Sequence, residues 1–274
     1  MMPAESCTKG HPVTASEPVT SNAADGCPVN QGNEKRTRRQ SFGKSLFVLS
    51  GIVPLLGLLG TPRDTALIIY TFFVAACLAR PWLVALSHRL PIRPVWQLLI
   101  LFLLSGTLTE TLAWGTNYAK AAEEPALLHP QLIPDIILGF GFYGGWAFAW
   151  LITFRWFRFT LAETFLITGF QGIVFEQLGG PFIVMLQLLP TNPLFSLVIA
   201  LYIAAVHGSA VGFAMVPVVH RFDRPGQSRH WVRFLIVMVL MVALAAAGTL
   251  LVGLISFLFG GLPPKQSIVD HPLW

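Results

Sequence analysis

Between residues 45 and 259 the chain is a succession of long apolar runs, separated by short clusters rich in proline and arginine. A helical crossing of a bilayer core about 30 Å thick needs roughly 20 such residues. Inside hydrocarbon every backbone N–H and C=O must be paired within its own segment, so runs of this length fold as helices. Charged residues make up only 11% of the chain, less than half the share usual in soluble domains. A soluble monomer of this size would have too little polar surface to cover its interior. The expected fold is all-α, a polytopic integral membrane protein.

Seven segments qualify, at about 45–60, 66–86, 95–114, 133–154, 160–188, 194–219 and 232–259. Turn-forming clusters divide them, such as Thr61-Pro62-Arg63-Asp64 and Pro190-Thr191-Asn192-Pro193. Segment one is short and carries Pro54, so a re-entrant loop is its alternative; charge placement decides between them. With seven crossings and a cytoplasmic N-terminus, fifteen Lys and Arg residues fall on the cytoplasmic side and three, Arg63, Lys120 and Lys265, on the other. If segment one did not cross, the six basic residues before it would change sides and leave nine against nine. The positive-inside bias therefore predicts seven transmembrane helices, with the N-terminus cytoplasmic and the C-terminus exoplasmic. Trp82, Trp96, Trp156 and Trp231 fall at the cytoplasmic ends of segments and Trp114 at an opposite end, where indole rings prefer the interface.

Three regions follow. Residues 1–40 are rich in Ser, Thr, Asn, Pro and Gly and lack an apolar run, so they read as a disordered cytoplasmic tail. The tail ends in a basic run, Lys35, Arg36, Arg38 and Arg39, read first as a topology anchor and second as a contact for anionic headgroups. Residues 41–262 form the transmembrane domain and 263–274 a short exoplasmic tail. The net charge of +5 does not point to nucleic acid, because the chain has little polar surface on which basic residues could be interleaved. Cys7, Cys27 and Cys77 give no disulfide framework, and Cys7, His11 and Cys27 are too irregularly spaced for a metal site. With no eukaryotic sorting signal in view, a bacterial inner membrane is the default location.

With so few charges, each intramembrane acid needs its own account. Glu163 follows Thr160 by three residues, the spacing of a capping box. Asp135 follows Pro134 in the first turn of segment four and complements the positive end of that helix. Glu110 and Glu176 have no such explanation. Glu110 lies about 14 residues into segment three, roughly 21 Å deep at 1.5 Å per residue, and Glu176 lies at a similar depth in segment five. Both fall in the outer half of the bilayer. Ala162, Gly169, Gly172 and Gly179 share the Glu176 face, a stripe that marks close helix contact. Gly179-Gly180-Pro181 should then break or kink that helix.

Segment six offers a partner surface, Ala204, Gly208 and Gly212, flanked by His207 near mid-membrane. The same seam is a candidate contact for another membrane protein. Glu110, Glu176 and His207 are the candidate chemical groups. Asn117, His129, Asp135, Tyr143 and Gln177 are candidate binding residues around an outward-opening polar pocket.

Segment seven has no lysine for a retinal Schiff base, and the chain carries no His-Glu-x-x-His, Gly-x-Ser-x-Gly or phosphate-loop motif. Leu161-Ala162-Glu163-Thr164-Phe165, followed by Val206-His207-Gly208, faintly resembles the intramembrane prenyl-endopeptidases, where a paired-glutamate helix faces a histidine helix. Here Thr164 replaces the second glutamate, and Thr168 stands near the place of the family's arginine. Glu110 before a polar loop, with Leu132-Ile133-Pro134, resembles membrane proteins of the carotenoid-hydratase type. Each resemblance covers a few residues, and neither assigns a family, a metal or a cofactor. Three functions remain: a membrane binding or assembly component, an intramembrane enzyme acting on a lipid or isoprenoid, and a proton-coupled carrier. The first is preferred, because small-residue seams are present and no catalytic motif is.

Overall fold

The computed structural model describes residues 47–52, 54, 65–125, 127–175 and 179–274. All of these belong to one compact unit, Gln40–Trp274. Eight helices follow from Thr65 onward: α1 (Thr65–Leu78), α2 (Arg80–Arg89), α3 (Pro94–Ala119), α4 (Leu132–Thr153), α5 (Leu161–Phe175), α6 (Gly180–Leu188), α7 (Pro193–Met215) and α8 (Val232–Leu258). A 3₁₀ turn, Val219–Phe222, follows α7. The architecture among the described residues is all-α, as the apolar runs imply.

Four helices are long and apolar enough to cross a membrane, α3, α4, α7 and α8, and six crossings result if each of two bent pairs counts as one. This is the architecture of a multi-pass membrane protein. The predicted seventh crossing rests on segment one, most of which lies outside the described residues, as does the N-terminal tail. Phe47, at the start of that segment, packs its ring edge-on against Phe73 and Phe165, with centroids 5.6 and 4.9 Å apart.

Segment two, read from sequence as one crossing, is divided. The axis turns by 74° between α1 and α2. Pro81, in the first turn of α2, has no N–H for the carbonyl one turn back and its ring crowds that position, so the turn forms there. Segment five is also divided, as Gly179-Gly180-Pro181 predicts: α5 and α6 are inclined at 85°. Gly179 has φ +88°, a left-handed conformation that a residue with Cβ rarely adopts.

Two packings build the bundle. In the first, α4 lies against α8 with almost no side chain between them: a Cβ on Gly141 would collide with the carbonyl of Gly248, and one on Gly145 with that of Leu244. Such approach lets Cα–H groups touch facing carbonyls, a contact that replaces hydrophobic drive where the solvent is lipid. In the second, α7 packs on α5, α1 and α3. The predicted small-residue stripe and seam meet each other here. Gly169 faces the Ala204 backbone, Gly208 faces the Phe165 carbonyl, and Gly212 lies on the Phe73 ring. The Ala204/Gly208/Gly212 seam is thus occupied by this chain's own helices. Ser105 Oγ on α3 ties that helix to α7 by donating to the Ala210 carbonyl at 2.5 Å.

The two ends of the bundle differ in charge. One end, hereafter the basic end, carries α2, the α4–α5 connection, the 3₁₀ turn and the start of α8. It holds Arg80, Arg89, Arg93, Arg155, Arg158, Arg221, Arg224, Arg229 and Arg233. The other end carries the α3–α4 loop and the C-terminal tail, where Lys120 and Lys265 lie among the described residues. At the basic end Thr160 and Glu163 form the predicted capping box: Thr160 N donates to Glu163 Oε2 at 2.8 Å and Glu163 N to Thr160 Oγ1 at 3.2 Å. The buried Arg233 guanidinium closes on Glu163 and on the Arg158 carbonyl.

Candidate functional site

Two helix faces assemble the site. On α3, Gly106 and Glu110 are one turn apart; on α4, Asp135, Gly139 and Tyr143 are spaced by four residues each and lie on one face. The helices run antiparallel, so the two faces read in opposite order. The Tyr143 ring lies on Gly106, where a Cβ would collide with it. Glu110 crosses at Gly139, its Cγ 3.5 Å from where a Cβ would stand. The glutamate carboxyl then sits between Tyr143 on one side and Asp135 on the other. Tyr143 Oη donates to Glu110 Oε1 at 2.8 Å, and the Glu110 and Asp135 carboxyls face each other.

Asp135 is fully buried and divides its work. Its Oδ1 accepts from the His129 backbone N–H at 2.9 Å, and its carboxyl lies within hydrogen-bond reach of the Glu110 carboxyl, with which it can share a proton. Glu110 is half-buried, next to exposed Thr111 on its own helix.

A plug closes the end of the site. His129 Nδ1 accepts from the Gln131 N–H at 3.2 Å, which leaves Nε2–H to donate to the Pro263 carbonyl at 3.1 Å. This pair of bonds needs the neutral ring in a single tautomer. Burial pushes the His129 pKa down, opposed by the Pro263 carbonyl bond and helped by nearby Lys265. Gln131 Nε2 donates to Gln266 O at 3.1 Å, and the first two amides of α4, Leu132 and Ile133, donate to Pro272 O and Leu273 O at 3.1 Å. The C-terminal tail therefore caps α4, with Ile268 buried beneath it.

Four of the predicted residues are brought together: Glu110, Asp135, Tyr143 and His129. His207 lies one aromatic ring away. Tyr143 meets Trp146 edge-on at 5.6 Å, and Trp146 meets His207 at 6.4 Å. The His207 ring covers Gly172, and its Nδ1 bonds the Ile203 carbonyl of its own helix at 3.1 Å. Asn117 donates to Ala113 of its own helix at 2.9 Å. Glu176 and Gln177 lie outside the described residues.

Sequence reading missed Gly106, Trp146 and the C-terminal tail. The four-residue spacings Gly106–Glu110 and Asp135–Gly139–Tyr143 carried a usable signal for the first. Among the described residues no group of three or more His, Cys, Asp or Glu side chains is placed to hold a metal ion. No family model, curated protein or solved structure matches this chain.

Proposed function

We propose that this protein is a membrane binding component whose Glu110–Asp135–Tyr143 site takes the head of an amphiphile, through a hydroxyl or ammonium group that donates hydrogen bonds. The observation that carries this reading is the pair of facing carboxyls, Glu110 and buried Asp135, with the Tyr143 hydroxyl on the far side of Glu110. A donor placed between the two acids would satisfy both, and charge-assisted hydrogen bonds of this kind are about twice as strong as neutral ones. The half-buried position of Glu110 supports entry from the bilayer side, so a lipid or isoprenoid alcohol or amine suits the site better than a water-soluble solute.

The same reading includes seven crossings, with the basic end in the cytoplasm and the site in the outer half of the bilayer. The arginine bias between the two ends supports that orientation. Mass spectrometry of protein extracted gently from its own membrane tests the function. A bound alcohol or amine amphiphile present in the wild type and lost in Glu110→Gln, with unchanged thermal stability, supports it. Equal lipid content in the two proteins contradicts it.

A further inference from the structure

At the basic end a second polar cluster lies outside the site just described. His88 of α2 and His220 of the 3₁₀ turn meet Nε2 to Nε2 at 3.0 Å. Arg80 lies two turns from His88 on the same face of α2, and both Arg80 and Arg221 act on His220 electrostatically. Arg221 is held in place: its Nη1 donates to Ser87 O at 2.8 Å and to Gln97 Oε1 at 3.0 Å. His220 Nδ1 is buried without a partner among the described residues.

The acids that could balance this charge are already in use. Asp223 pairs with Arg158 at 2.6 Å, and Glu163 with Arg233. Among the described residues this end holds no further acid. A helix and a turn are therefore pinned together around a spot where two guanidinium groups and two imidazoles act on one another, with Asp223, already paired to Arg158, the one acid near enough to act on His220 among the described residues.

We propose that Arg80, His88, His220 and Arg221 bind a phosphate group, and that its source is the headgroup of an anionic phospholipid. Two guanidinium forks suit phosphate oxygens. The surroundings favour a lipid over a free ion. α1 and α2 together have the length of one crossing, bent by 74° where α2 begins. Trp82 and Leu86, exposed at 66 and 40%, lie on the face of α2 turned away from Arg80 and His88, an apolar surface at the same level of the bundle as the cluster. Burial and the neighbouring His88, Arg80 and Arg221 hold the His220 pKa down, while Asp223 opposes them. A bound phosphate would relieve that repulsion, so binding should tighten as pH falls from about 8 to 6, through the range in which histidine titrates.

The test is the thermal midpoint of the full-length protein in a neutral detergent, with phosphatidylglycerol, phosphatidylcholine or inorganic phosphate added. Near saturation, a rise of about 5 °C with phosphatidylglycerol alone is expected. Arg80→Gln, which removes an exposed side chain with no ion-pair partner among the described residues, should keep the unliganded midpoint and lose most of the rise. His220→Gln should lose its pH dependence. An equal rise with phosphatidylcholine, or an undiminished rise in Arg80→Gln, overturns the site. A rise reproduced by inorganic phosphate overturns the lipid as its occupant.

Discussion

Tyr143 spans a full turn of the neighbouring helix: its ring rests on Gly106 while its hydroxyl bonds Glu110 at 2.8 Å. One aromatic side chain thereby fixes both how closely α3 approaches α4 and where the Glu110 carboxyl points. Glycine at 106 is required by the ring and tyrosine at 143 by the acid, so packing and chemistry are set by the same contact.

The coupling between those residues is measurable. Tyr143→Phe should lower stability by about 1–2 kcal/mol, the cost of leaving a charged or polar acceptor without its donor. In a double-mutant cycle with Glu110→Gln, the pair should show a coupling energy of about 1 kcal/mol. Reversible unfolding in mixed detergent micelles reads both values, and a coupling near zero would separate the tyrosine from the acid.

Glycine substitutions along α4 should divide sharply. Gly141→Ala and Gly145→Ala press a methyl against α8 backbone, which cannot rotate away, and should cost about 2–3 kcal/mol. Gly144→Ala meets open space and should be neutral or slightly stabilising, since alanine is the better helix former. Thermal midpoints of the three variants check this, with Gly144→Ala as the internal control.

Arg233 is buried, and its partner Glu163 also closes the capping box of α5. Arg233→Met should cost about 1–2 kcal/mol, because the Arg158 carbonyl loses its donor while the partly exposed Glu163 keeps its capping-box bonds. Arg229→Met, exposed four residues earlier, should change stability by less than about 0.5 kcal/mol.

The plug over the acid site should respond to pH. His129 has its pKa lowered in the folded state, so the neutral form is the one the fold favours. Its contribution is complete above the ordinary histidine pKa of about 6.5 and is lost as pH falls through the lower folded value. Protonation at Nδ1 would break the bond from Gln131 N–H. Spin labels at Glu124 and Asp270 should show a single distance at pH 8 and a broadened distribution near pH 5. His129→Gln should be broad at both.

Much of this fold was legible in the sequence, because hydrophobic length is a direct record of bilayer thickness. The runs that became α3, α4, α7 and α8 are continuous and apolar, and the Gly179-Gly180-Pro181 break stood out. Hydropathy does not record direction, however, so α1 and α2 read as one segment although Pro81 turns the chain between them. Depth arithmetic singled out Glu110, and Asp135, Tyr143 and His129 were among the candidates around it, but which candidates actually meet depends on how two helices register across a glycine notch. The cap over α4 left no signal, since much of it is made by main-chain bonds from the tail.

Photocrosslinking in reconstituted bilayers, with an alcohol-headed lipid carrying a diazirine near its hydroxyl, reads whether the Glu110–Asp135 pair receives the polar head of an amphiphile from the bilayer. Adducts should concentrate on the exposed residues flanking the notch, Thr111 and Phe140, and be lost in Asp135→Asn. Labelling spread evenly over the exposed faces of α3, α4 and α8, and unchanged by that substitution, would contradict it.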